Sequence, residues 1–114
     1  MPFENKVDAT IASGGSLSSE INLSGSRVFA IQMPASWTAA SLTFQGSDKA
    51  GGTYNNIYDE EGNEVTVTTD ASRFVILEPA KFLGLRNLKI RSGTSSSAVN
   101  QGADRVITLV CLGE

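Results

Sequence analysis

The residues with the most chemical potential lie in Asp59-Glu60-Glu61-Gly62-Asn63-Glu64, where four carboxylates fall within six positions. Oxygen ligands at this density suit a hard cation such as calcium. An EF-hand loop, however, needs alternating oxygen donors, glycine at its sixth position and glutamate at its twelfth. Here Gly62 is fourth, so the spacing fails and no metal ligand is assigned. The segment reads instead as a hairpin turn, with Gly62 in the left-handed region and its carboxylates in water. Gly46-Ser47-Asp48-Lys49-Ala50-Gly51-Gly52-Thr53 has the glycines of a phosphate-cradling loop. It lacks the Gly-Lys-Ser/Thr ending, and no helical pattern follows to aim a dipole at an anion.

Catalytic arrangements are no better supplied. The chain has no histidine, so its many serines have no imidazole base to activate them. The single Cys111 sits within an apolar run, where a thiol behaves as a small hydrophobe with a raised pKa. The acidic residues crowd one turn instead of facing each other across a cleft, as paired carboxylates must in glycoside hydrolysis. The reading is a chain that is not an enzyme, with no catalytic residue and no cofactor. Three aromatics remain as interaction candidates: Trp37, just before a strand, and Tyr54 and Tyr58, flanking Asn55-Asn56-Ile57. Loop-edge Trp and Tyr anchor protein interfaces and stack on sugars. The alternative is that Trp37 plugs one end of the core and the tyrosines cover an edge. Phe29, Phe44 and Phe74 lie on strand faces and read as core.

Composition narrows the partners. The 114 residues carry 9 Lys+Arg against 12 Asp+Glu, a net charge of −3. Nucleic acid is not expected, because affinity for phosphate backbones needs a dense basic surface and these cations are scattered. No run approaches the roughly 20 apolar residues that span a bilayer, so no membrane is expected. The opening Met1-Pro2-Phe3-Glu4-Asn5-Lys6 lacks the basic and apolar regions of a signal peptide, which suggests synthesis in a cytoplasm without export by that route. Residues 1–114 are long enough for one domain with a real core.

That core must be made by strands, because apolar residues recur with a period of two. Ser41–Gln45, Glu64–Thr68 and Asn87–Arg91 each alternate, the last with Lys89 and Arg91 directed to water. Val28–Met33 and Val106–Leu112 are more continuously apolar and suit central strands, or strands whose outer face meets another subunit. Phe74–Leu77 is a shorter run of that kind, and Lys6–Ala12 and Leu17–Leu23 are weaker strands. Ser13–Ser16, Ser24–Ser26 and Glu61–Asn63 are turns, and only Glu78–Gly84 looks helical, for about one turn. Short strands at regular spacing with polar turns predict an all-β fold, a sandwich or a barrel, and the chain reads as one antiparallel β-sandwich of jelly-roll type with about eight strands. Residues 1–12 read as its first edge strand or as an N-terminal arm laid on a neighbour.

Two resemblances add to this reading. Ser41–Asp48 followed by Gly51-Gly52-Thr53-Tyr54-Asn55-Asn56-Ile57-Tyr58 resembles the strand–loop–strand element of discoidin-type jelly-roll modules, and Arg86–Arg91 is similar to their basic-apolar strand. The resemblance covers about half the chain, with Lys49-Ala50 inserted before the glycines, and implies a jelly-roll sandwich. Ligand residues of such modules lie in variable loops, so none transfers by position. Arg27–Pro34, Trp37-Thr38-Ala39-Ala40 and the Ser/Thr-rich ending resemble small virion proteins of tailed bacteriophages. That resemblance implies a structural protein of the particle: a capsid decoration (cement) protein, or a head or tail appendage subunit. It would be made in the host cytoplasm, act on the virion, contact the major capsid protein or other virion proteins, and form a homo-oligomer. Only 18% of residues are charged, against roughly 25% in average domains, which favours close contact with little charge desolvation. The alternative function is a carbohydrate-binding appendage for host attachment, with a glycan stacked on Trp37, Tyr54 or Tyr58.

Overall fold

The computed structural model describes residues 3–23, 26–82 and 85–113. Eight strands run in the order β1 (Phe3–Ile11), β2 (Ile21–Asn22), β3 (Arg27–Gln32), β4 (Leu42–Ser47), β5 (Asn55–Asn56), β6 (Phe74–Ile76), β7 (Asn87–Ser92) and β8 (Arg105–Gly113). One 3-10 turn, Pro79–Phe82, stands where the helical segment was expected. The strands form two four-stranded antiparallel sheets, β1-β8-β3-β6 and β2-β7-β4-β5. Strands 1 and 8, 2 and 7, 3 and 6, and 4 and 5 are therefore partners. That nesting of one long hairpin rolled into two layers is the jelly-roll order.

Alternation fills the space between the layers. Ile107, Leu109 and Cys111 of β8 face inward with Ala9 and Ile11 of β1 and Val28 and Ile31 of β3. Leu42 and Phe44 of β4, Leu88 and Ile90 of β7 and Ile21 of β2 face them from the second sheet. Val28 and Ile31 are three residues apart, so a regular strand would set them on opposite faces. A register shift between Val28 and Ala30 leaves Phe29 as an extra residue, a bulge that brings both into the core. Phe82 on the 3-10 turn closes one side, its ring edge-on to Phe44 at 5.3 Å between centroids.

Several expectations are corrected by this packing. Phe74 is not core but 55% exposed. The β3–β6 register pairs Val75 with the inward Ile31, which turns Phe74 and Ile76 outward. Glu64–Thr68 is not a continuous strand, and pairs only through the bridges Tyr58–Glu64 and Leu42–Val67, although Val65 and Val67 do face inward. Leu17–Leu23 contributes only Ile21–Asn22 as strand, with Leu17 bridged to Arg91. Arg91 lies on the outer face of β7 yet is buried rather than in water. Of the expected turns, Ser24 and Gly25 lie outside the described residues, as do Leu83 and Gly84. From Phe3 onward the N-terminal stretch is an edge strand, paired with β8 along its length.

Candidate functional site

The three aromatic candidates occupy different environments. Trp37 lies in the core cluster, 9% exposed, and its Nε1 donates to the Ala40 carbonyl at 3.1 Å. Tyr54 stands on the outer face of the second sheet. Its hydroxyl donates to a Glu20 carboxylate oxygen, which also accepts from the Gly51 amide at 2.8 Å, and Lys89 Nζ lies 4.6 Å from its ring centroid. Tyr58 is 53% exposed and forms the ridge between two open clefts of about 610 and 440 Å³.

Glu20 and Tyr54 shift each other's titration in opposite directions. Burial and the hydrogen bond to Glu20 push the Tyr54 hydroxyl up to about 12, while the same bond and the Gly51 amide hold Glu20 below the usual carboxylate value. A folded-state value raised above the free value gives stability that is complete below pH 10 and lost as pH climbs through 12. A lowered carboxylate gives stability present above its usual 4.5 and lost as the pH falls below it. Glu20→Ala is expected to move the Tyr54 titration from about 12 part of the way back toward 10, with the share due to burial remaining. Ultraviolet titration of tyrosinate in Glu20→Ala and Tyr58→Phe variants reads that shift.

The acidic turn is built as a hairpin. Asp59 Oδ1 accepts the amides of Glu61 and Asn63, each at 2.9 Å, and Gly62 has φ 88°. Glu64 turns away to Arg91, with Nη1–Oε2 at 3.3 Å. Arg91 also reaches Thr43 Oγ1 at 3.2 Å and Asn56 Oδ1 at 2.5 Å, locking β7, β4, β5 and the turn into one polar network. Gln101 does similar work at another end: its side chain bonds Thr38 N and O, Ser92 Oγ and Arg105 Nε. Neither network is visible as a motif, because its members come from strands and loops far apart in the chain. Cys111 is fully buried and its thiol is pushed up by that burial.

Exposed apolar side chains gather on the outer face of β1-β8-β3-β6. Val106 (45% exposed) and Leu112 (36%) of β8 share this face with Phe74 and Ile76 (76%) of β6. They are four of the six exposed large apolar side chains among the described residues. Register lays Lys6, Val110, Ala30 and Ile76 in one row and Asp8, Thr108, Gln32 and Phe74 in the next. Thr108 donates to Asp8 at 2.8 Å, so the polar end of the second row is internally satisfied. Exposed large apolar side chains gathered on one sheet face suit an interaction site. The sequence signal was present in the two apolar strands, β3 and β8, which are neighbours in this sheet. The contribution of Phe74 and Ile76 was missed, because a three-residue run does not reveal which face it turns inward.

Among the described residues no helix is long and apolar enough to cross a membrane. No protein-family model matches the chain, and no curated protein matches it in sequence. Among solved structures, the chain is similar to the SPBc2 prophage-derived protein YomS at a TM-score of 0.56 and 13% identity, over 99% of this chain and 96% of that one, a likeness of fold.

Proposed function

We propose that this chain is a non-enzymatic structural protein of a bacteriophage particle, which decorates or stabilises the capsid as a homo-oligomer. The observation that carries this reading is the outer face of β1-β8-β3-β6, where Phe74, Ile76, Val106 and Leu112 stand exposed on one side of a small sandwich. Such a face docks on the major capsid protein or another virion protein, and weak contacts repeated over a lattice add up to firm attachment. The resemblance to small virion proteins and the jelly-roll likeness to a prophage-derived protein support the same reading. In purified virions, mass spectrometry is expected to find copy numbers comparable to the shell subunit. Val106→Lys is expected to reduce incorporation by at least about tenfold while the variant stays folded. A few copies per particle would instead place the protein on a head or tail appendage.

Tyr58 supports the second reading, a carbohydrate-binding appendage. Its exposed ring is flanked in the two clefts by Asn56, Asp59 and Glu60, the combination of apolar platform and polar acceptors that sugars need. Tyr58→Ala would then abolish retention on a host-glycan array, and unchanged retention rejects that reading.

A further inference from the structure

The structure points to a specific self-association: we infer that the free edge of β6 pairs antiparallel with β6 of a second copy, extending β1-β8-β3-β6 into one eight-stranded sheet across a two-fold axis. This rests on the oligomeric reading above and assigns it a surface. Leu77 N donates to Phe29 O and Arg73 O accepts from Met33 N, both at 2.8 Å, so the peptide groups of residues 73, 75 and 77 face β3. Those of Phe74 and Ile76 therefore face away. Among the described residues, no strand or bridge meets them on that side. An open cleft of about 190 Å³ separates β6 from residues 65–68 there.

Edge strands are usually guarded by charge, proline or a bulge. The other edge of this sheet, β1, carries Lys6 and Asp8, whereas β6 is Phe74-Val75-Ile76 and is protected only by its shortness. The sequence around β6 is self-complementary. With Val75 opposite Val75, the amide and carbonyl of Phe74 bond those of the other copy's Ile76, and the reverse, giving four backbone hydrogen bonds. Each exposed Phe74 then packs beside an exposed Ile76, an aromatic–β-branched pair of the kind that stabilises sheets. The contact is isologous and closes at two chains.

Sedimentation equilibrium of the full chain is expected to show a mass rising from one chain toward two as concentration increases to about 1 mM. Ile76→Pro removes an amide that faces away from β3, a position where an edge strand accepts proline, and is expected to weaken association at least about tenfold. A single-chain mass for the parent at every concentration, or equal association by parent and Ile76→Pro, overturns the inference. Hydrogen exchange on the parent tests it without any variant: the Phe74 and Ile76 amides must slow at least about tenfold between dilute and concentrated protein. Unchanged exchange there overturns it as well. Neither failure bears on virion copy number, which tests the structural-protein reading separately.

Discussion

Gly93→Ala is expected to destabilise the fold by at least about 3 kcal/mol and to lower its melting temperature by at least about 10 °C. Gly93 follows β7 directly, with φ 93°, a left-handed backbone that side chains resist. A Cβ there would sit 2.5 Å from Ser97 O and 2.8 Å from Val99 N, both backbone atoms held by the turn. The turn has no slack, because Val99 N donates to Ser92 O at 2.9 Å and Gly93 N donates to Ser41 O at 2.7 Å. Gly93 O also accepts from Thr43 Oγ1 at 2.8 Å, the hydroxyl that receives Arg91. Displacing the turn would therefore loosen the polar network beside it. Differential scanning calorimetry of parent and variant measures the effect, and a loss under about 1 kcal/mol would show that the turn can relax.

Arg91→Ala is expected to lose about 3 kcal/mol, since truncating one member of a nearly buried ion pair leaves its partner without compensation. Glu64 is only 14% exposed and would keep the Ser95 amide, at 3.2 Å, while losing its cation. Thr43 and Asn56 would lose the guanidinium too. Arg91→Lys does not restore the arrangement, because one ammonium cannot span Thr43, Glu64 and Asn56 as a planar fork does. Adding Glu64→Ala to Arg91→Ala removes the stranded carboxylate, so the double variant loses less than the sum by about 1–3 kcal/mol. Urea denaturation of the parent, Arg91→Ala, Glu64→Ala and the double variant gives this coupling directly. Additive losses would mean that the two side chains contribute independently.

Much of the fold was legible in the chain because strand alternation is local. Leu42 and Phe44, Leu88 and Ile90, and Ile107, Leu109 and Cys111 all face the core as their spacing implies. Gly62 at positive φ and the single turn at Pro79–Phe82 follow equally local rules. Phe74 defeated the same logic because three residues offer two equivalent phases, and only pairing with Ile31 selects the one that buries Val75. Arg91 failed for a related reason. Alternation places it on the outer face, but Glu64, Asn56 and Thr43 arrive there from other elements and cover it.

The candidate site divides along the same line. Low charge, absence of histidine and two unusually apolar strands pointed to contact surfaces over chemistry, and these are properties of composition and short-range pattern. Which surface is apolar depends on β3, β6 and β8 becoming neighbours, and on a bulge at Phe29 that resets the phase of β3. Trp37, Tyr54 and Tyr58 look alike as loop-edge aromatics. Tertiary packing separates them into a core plug, a hydrogen-bonded partner of Glu20 and an exposed ridge. Side-chain type and period act over a few residues, so the chain declares its strands. Which face meets solvent depends on contacts between residues dozens of positions apart, and only the rolled-up sandwich brings those together.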